Sequence, residues 1–507
     1  MPSPSPMLLV AFQLDATRKT PVYRQLYEQL RLAIMDGRTR PGSRLPASRT
    51  LAAELGLSRN TIVTAYNLLA DEGYISLHVG AGAYVRDVLP EDTPPPTSPP
   101  PVMEGEGTLP PLSARGRQLT ALSMDVGSAY PEPFVADVPA FDVFPLDAWS
   151  RLMSQSWRHV QPTMLGYADP SGYMPLRDAI AQNLHAARFL KCTAQQVIMT
   201  SGSQQSLDLL ARILLDPGDP VWIEDPGYIG TRNTFMAAGA RLVPVPVDAE
   251  GLVVAEGIKL EPAPRLIFIT PSRQYPLGMT LSMARRAEIL DFAQSCGAWV
   301  IEDDYDSEFR YSGTPLPALQ SMDRSGRVFY LGTFSKSLLP SFRLGFVVTP
   351  VQFVAVLANA KRVLDRHPPL LEQITLLSFI QSGQFAAHIR RMRRIYKERQ
   401  SILLNEAHQT LGHIIDMQPV ESGVHLIGRF LQDVDDCAFC AAAAKMGIML
   451  RPLSLCYLGP EPQSGLIFGF AAIQPRRIVA AMKKLSLFTH NWLTTHPGHS
   501  DEAAQPD

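Results

Sequence analysis

The sequence predicts a small helical head that ends in a β-hairpin, followed by a larger α/β body on a mainly parallel sheet. Three observations predict it. A proline-rich segment divides the 507-residue chain. Before it, apolar residues recur at helical spacing; after it, short apolar runs alternate with helical stretches. The two parts also differ in charge. Residues 1–87 hold ten Lys or Arg and seven Asp or Glu, a net +3, and the rest holds 36 and 41, a net −5.

Composition narrows the function classes. Apolar residues are 46% and charged residues 19%, which excludes a wholly disordered or collagen-like chain. Lys plus Arg is 46 against 48 for Asp plus Glu, so the whole chain is not a basic coat for nucleic acid; only the head suits that partner. The longest apolar run near the start, Met7–Phe12, is far short of the ~18 residues a membrane span needs, and no membrane partner is expected. The first residues lack the basic region and cleavage site of a secretory signal. Five cysteines, an odd number, argue against a disulfide framework and for a reducing cytoplasm. Cys437 and Cys440 form a CxxC in an Ala-rich helical stretch with no second pair of ligands. They read as buried core thiols, and no metal site is expected.

The head comes first. Val22, Leu26, Leu30 and Ile34 form one helical stripe. Gly37 and Arg40-Pro-Gly end it in a turn. Ser48 is expected to cap a helix carrying Leu51, Ala52 and Leu55, and Gly56-Leu57 makes a tight turn. Ser58 caps a second helix with Ile62, Ala65, Tyr66 and Leu69 inward. The outward residues at its start are Arg59, Asn60, Thr61 and Thr64. That is the part of a helix-turn-helix that meets base edges, and Arg and Asn discriminate bases there. Arg44 and Arg49 are placed to grip phosphate. Tyr74–Leu77 and Ala83–Val85 read as strands of a hairpin wing around a glycine-rich tip. A small helical domain that binds protein is the competing reading.

Residues 21–87 resemble the winged helix-turn-helix DNA-binding domain of GntR-type bacterial regulators, with LPxSRxLAxxLGxSRxT and GxGxxV in register. By that resemblance Arg49, Ser58, Arg59, Asn60, Thr61 and Gly80 contact a double-stranded DNA operator.

Next comes the break. Leu89–Leu112 holds nine prolines among 24 residues and no Lys or Arg. Proline lacks an N–H and holds an extended φ, so the segment favours polyproline II. At about 3.1 Å per residue it spans up to roughly 75 Å. The expected division is a head over 1–88, a linker over 89–120, a body over 121–490 and a disordered tail over 491–507.

In the body, apolar runs at 197–200, 221–224, 266–270, 299–303, 328–331 and 345–348 read as strands. Ligands gather at the carboxyl ends of strands in such sheets. After the first run, Ser201-Gly202-Ser203 opens an amphipathic helix, and bare N–H groups there suit a phosphate. After the second, Tyr228 is an aromatic ring on a turn. After the third comes TPSRQYPLG, a turn with polar tips. The fourth ends in IEDDYDSEFRY, where alternation puts Asp303 and Tyr305 on one face and Asp304 and Asp306 on the other. A carboxylate there can keep a pyridine nitrogen protonated; a metal site or a solvated acidic loop are the other readings. The fifth ends in GTFSKSLLPSFRLG. Lys336 can form a Schiff base with an aldehyde, and Thr333, Ser335, Ser337 and Arg343 can hold a phosphate dianion.

That order, over about residues 121–487, resembles the fold-type I aminotransferases, whose cofactor is pyridoxal 5'-phosphate. With the GntR-like head in front, the chain resembles the MocR-type, GabR-like regulators. The resemblance implies that Lys336 holds the cofactor, Asp303 pairs with its pyridine nitrogen and Tyr305 bonds its phenolic oxygen. Tyr228 stacks on the ring, Gly202, Ser203, Thr333, Ser335 and Arg343 hold the phosphate, and Gln274 lies near the phenolic side. It further implies a homodimer, a cytoplasmic location and an amino-compound effector, or the cofactor itself, that controls DNA binding. An aminotransferase with an appended regulatory head is the alternative. A degenerate fold that only pairs the heads is a third reading.

Two positions depart from that pattern. Arg273 stands where many relatives carry His, which is expected to put a fixed charge near the cofactor mouth. The arginine that binds a substrate carboxylate in aminotransferases has no counterpart in the late strand GLIFGFAA. Leu466 is expected in its place, with Arg451 or Arg232 as substitutes.

Overall fold

The computed structural model describes residues 12, 14–15, 17–78, 82–87, 111–121, 132–311 and 316–495. The chain divides into two compact units, Met1–Pro111 and Leu112–Asp507.

In the head, α1 (Val22–Met35) and α2 (Ser48–Leu55) both pack on α3 (Arg59–Asp71). Leu26, Leu30 and Ile34 of the expected stripe are buried, and Val22 is half-buried. Gly56, at φ 65°, turns the chain between α2 and α3, a left-handed conformation that costs glycine little. Ser58 accepts from the N–H of Thr61 and caps α3. Ser48 is not a cap. It is the first helical residue after Ala47, and its Oγ instead accepts from Arg59 Nε at 3.4 Å. β1 (Ile75–His78) and β2 (Gly82–Val85) form the antiparallel hairpin. The tip, with Gly80, lies outside the described residues.

In the second unit, α4 (Ala114–Ala121) occupies the end of the segment expected as linker, over 89–120, and runs one residue past it. Then come α5 (Leu146–Arg158), α6 (Met174–Arg188), β3 (Val197–Thr200), α7 (Ser203–Leu214), β4 (Pro220–Asp225) and α8 (Ile229–Ala237). β5 (Arg241–Asp248), β6 (Gly251–Leu252), α9 (Val254–Leu260), β7 (Leu266–Ile269), α10 (Met283–Cys296) and β8 (Trp299–Asp304) follow. α11 (Leu319–Met322), β9 (Val328–Thr333), β10 (Gly345–Val348), α12 (Val354–Leu364), α13 (Leu370–Gln381) and the long α14 (Gln384–Leu411) continue the chain. The last part holds β11 (Ile415–Met417), β12 (His425–Phe430), α15 (Asp436–Ala444), β13 (Arg451–Pro452), β14 (Gly465–Gly469) and α16 (Pro475–Thr495).

The large sheet has the order β3-β10-β9-β8-β7-β4-β5-β6. The pairs from β5 through β4, β7, β8 and β9 are parallel, and β10 is antiparallel to both β3 and β9. Its central strands are buried on both faces, as a sheet covered by helices requires. Alternate residues feed opposite cores: Phe346 and Val348 join one, Val347 the other. A second, antiparallel sheet has the order β11-β12-β14-β13.

The tail boundary differs from expectation. α16 continues to Thr495, into the expected tail, because Phe488 and Trp492 pack against Phe439. The rest of that tail, 496–507, and most of the proline segment, 88–110, lie outside the described residues. Of the CxxC pair, only Cys440 is buried; Cys437 is exposed, one position round the helix from the core face.

Candidate functional site

β3, β4, β8 and β9 end at the same edge of the sheet, and antiparallel β10 begins there. Gly345 pairs with both Thr200 and Thr333. This edge opens into a cavity of about 710 Å³. Nine of the ten cofactor candidates line it: Gly202, Ser203, Tyr228, Asp303, Tyr305, Thr333, Ser335, Lys336 and Arg343.

At one end, Gly202 has φ 118°, a conformation that favours glycine, and precedes the bare N-terminus of α7. A Cβ on Gly202 would lie 3.4 Å from the Arg343 guanidinium. Thr333 Oγ1 donates to Ser335 Oγ at 3.0 Å and accepts from the Ser335 N–H at 3.2 Å. N–H groups, hydroxyls and a guanidinium thus converge, as an anion requires. Ser337 points elsewhere and is fully buried.

Asp303 lies at the floor. Its Oδ1 is buried and accepts no hydrogen bond. Burial, with Asp304 and Asp306 nearby, pushes its carboxyl up to about 7 against the pull of Lys336. Such a buried acceptor fits a protonated ring nitrogen. Asp304 faces away, 2.9 Å from Arg188 Nε, and accepts from Tyr330 at 2.6 Å. Burial lowers the pKa of the Lys336 ammonium, and Lys336 Nζ donates to the Asp137 carbonyl at 2.5 Å.

Four expectations are corrected. Gln274 does not line the cavity. Its amide is taken up by the carbonyls of Pro226 and Tyr275 and by the Leu277 N–H. Arg273 is not at the mouth. It is 2% exposed behind Tyr305, donating to the Tyr305 hydroxyl at 3.1 Å and to the carbonyls of Ser422 and His425. Gly423 makes room for it, since a Cβ there would meet its Nε. Arg232 donates to the carbonyls of Leu455 and Tyr457 and stays out of the cavity. Finally, Ile467 and not Leu466 faces the site, packing with Tyr275, Tyr305 and Tyr228, while Leu466 joins the core on the other side of β14. The expected register was one residue off, which in a strand exchanges the faces.

Arg451 does line the cavity. It pairs with Ile467 across β13 and β14, so it enters from the strand next to the expected one. Its Nη1 lies 2.6 Å from Asp137 Oδ2 and 2.5 Å from the Tyr275 hydroxyl. Sequence reasoning missed Asp137. Nothing marks it in the run FVADVPAF, and it lies 199 residues from the lysine it touches.

The Asp435, Asp436 and Cys437 ligand atoms lie within 4.8 Å of one another. Their carboxylates already cap backbone N–H groups of Ala438, Ser454 and Gly465.

In the head, Arg44, Arg49, Ser58, Arg59 and Asn60 are exposed and Thr61 is half-buried. The hydroxyls of Ser58 and Thr61 are 2.8 Å apart, so both serve the cap. Thr64 bonds back to the Asn60 carbonyl. Arg44 lies over the Tyr84 ring of the wing at 5.9 Å.

Comparison with known proteins agrees with both parts. Residues 22–85 match the model for bacterial regulatory proteins of the gntR family, and residues 138–485 match that for aminotransferase class I and II. A probable rhizopine catabolism regulatory protein, MocR, of Rhizobium meliloti is 39% identical over 93% of this chain and 94% of its own. The pyridoxine biosynthesis regulator PdxR of Corynebacterium glutamicum is 31% identical over 90% and 94%. The chain belongs to the MocR-type branch of the GntR family. It is a helix-turn-helix transcriptional regulator with an aminotransferase-like body. Among solved structures, LysN, an α-aminoadipate aminotransferase of Thermus thermophilus complexed with N-(5'-phosphopyridoxyl)-L-leucine, is 25% identical with a TM-score of 0.66, covering 76% of this chain and 96% of its own. A kynurenine aminotransferase of Pyrococcus horikoshii is 26% identical with a TM-score of 0.66, covering 77% and 98%. Among the described residues no helix is long and apolar enough to cross a membrane.

Proposed function

We propose that the body binds pyridoxal 5'-phosphate at Lys336 and that an amino-compound effector, taken up there, controls the heads of a cytoplasmic homodimer on a double-stranded DNA operator. The observation that carries this reading is the unpartnered Asp303 oxygen in the same cavity as Lys336 and the anion-binding turn. The cofactor supplies an aldehyde that takes an amine and a ring that draws electrons from it.

The residues divide the work. Gly202, Ser203, Thr333, Ser335 and Arg343 bind the phosphate. Asp303 holds a proton on the ring nitrogen. Tyr305, held by Arg273, donates to the phenolic oxygen, and Tyr228 supplies an aromatic face. Lys336 is deprotonated more readily than a surface lysine and so serves as the exchangeable amine. An effector shifts the heads only by its differential affinity for their arrangements, through the proline-rich segment. Arg59 and Asn60 read bases, and Arg44 and Arg49 bind phosphate.

The test is the visible spectrum of full-length protein given the cofactor, beside Lys336→Ala, with and without amines, together with retention by duplex DNA from upstream of its own gene. A lysine-dependent band that one amine alters, and DNA retention that the same amine changes, is the expected result. No band sinks the cofactor reading; no retention at low salt sinks the DNA reading. The intact Lys336, Asp303 and Tyr305 set favours residual transamination as a second activity. Steady keto-acid production at enzyme-like rates would make that activity the main one, and the apolar Ile467 position argues against it for ordinary amino acids.

A further inference from the structure

With Lys336, Asp303 and the phosphate turn committed to the cofactor, one charged pair remains in the cavity among the described residues. Arg451 and Asp137 face each other there, with Tyr275 between them. Asp137 has φ 67°, in the left-handed region that Asp tolerates better than most residues. Its carbonyl touches Lys336 Nζ, so its carboxylate belongs to the residue next to the amine-exchanging nitrogen. Both residues line the same cavity, so an amine held at Lys336 shares that space with this carboxylate.

The two carboxylate oxygens differ. Oδ2 accepts from Arg451 at 2.6 Å and from Tyr275 at 3.1 Å. Oδ1 is buried and accepts from nothing. The nearest imidazole, His425 Nδ1, is 3.9 Å away. That ring is fully buried beside Arg273, which keeps it neutral. A buried carboxylate oxygen without a donor is costly, and a ligand donor relieves that cost.

The same pair disfavours a carboxylate. The Arg451 charge is already balanced by Asp137, and Ile467 opposite it offers no second cation. A ligand carboxylate must either displace Asp137 or lie beside a like charge.

We propose that Asp137 determines effector specificity, and that the effector is an amine carrying a second hydrogen-bond donor, a hydroxyl or ammonium group, in place of a carboxylate. This rests on the reading of the cavity as the cofactor site. Arg451 and Tyr275 are positioning residues that aim Asp137.

Three primary amines of equal chain length test it: 3-aminopropan-1-ol, 1,3-diaminopropane and β-alanine. Each is titrated into cofactor-loaded full-length protein, with the lysine-dependent absorption band and the melting temperature as readouts. The two donors are expected to half-saturate at least about tenfold below β-alanine, the scale of one hydrogen bond to a charged group. In Asp137→Asn the order narrows or reverses while the band itself remains. β-alanine binding as tightly as the donors, no preference including no response to any of the three, or an unchanged order in Asp137→Asn overturns the proposal. If Asp137→Asn fails to load, the wild-type order alone decides. A missing band in wild type is a different failure, that of the cofactor reading itself.

Discussion

Asp303 illustrates how one buried residue links function and stability. Burial pushes its carboxyl up to about 7 from the ordinary value of 3.8. Between those values the folded protein binds more protons at this site than the unfolded chain. Stability from Asp303 is therefore largest at low pH, falls as pH rises towards 7, and levels off above it. The slope is on the order of 1.4 kcal/mol per pH unit. Asp303→Asn removes this contribution with little change of shape. In cofactor-free protein its melting temperature is expected to gain on wild type from pH 5 to pH 8. Asp306, Glu224 and Glu308, also pushed up to about 7, are present in both proteins and largely cancel in the difference. A pH-independent difference would mean that Asp303 is solvated or paired when the cofactor is away. The same substitution is expected to weaken cofactor retention, because a neutral amide cannot hold the ring proton.

Elements place these residues. The turn into α7 and the start of β10 touch so closely that a Cβ on Gly345 would lie 2.7 Å from the Gly202 Cα and 3.0 Å from its N. Those neighbours are backbone and cannot rotate away. Gly345→Ala is therefore expected to displace the phosphate turn. An overpacking cost of about 1–3 kcal/mol, felt at the binding site, lowers cofactor affinity by about fivefold to a hundredfold; equilibrium dialysis of the cofactor measures it. Unchanged affinity would mean that the turn does not hold phosphate. The body's six apolar runs were legible because both faces of those strands are buried, which leaves continuous apolar stretches. β5 was not, since Pro244 and Pro246 interrupt RLVPVPVD; it lies near the sheet edge, where proline is tolerated. The cavity candidates were legible because each lies at the carboxyl end of a strand or in the turn after it. Asp137, the burial of Arg273 and the inward Ile467 were not. Each depends on contacts between distant segments or on a strand register that one sequence leaves open.

At the scale of the whole molecule, each unit has a core of its own. Leu26, Leu30, Ile62 and Leu69 close the head, and separate clusters flank the large sheet of the body. Charge divides the same way, +3 before the proline segment and −5 after it. The proposal thus assigns DNA binding to the first unit and sensing to the second, each on a fold of its own. Expressing 1–111 and 112–507 as two polypeptides tests this. The body alone is expected to take up the cofactor with the wild-type band and to respond to the same amines. If the chain is the proposed homodimer, the head alone is expected to retain DNA about a hundredfold less tightly or worse, because two linked heads gain effective concentration that single heads lack. Amines should then leave DNA retention unchanged. If the free head binds as tightly as the whole chain, the body does not pair the heads, and control would have to act by covering the recognition helix rather than by placing two of them.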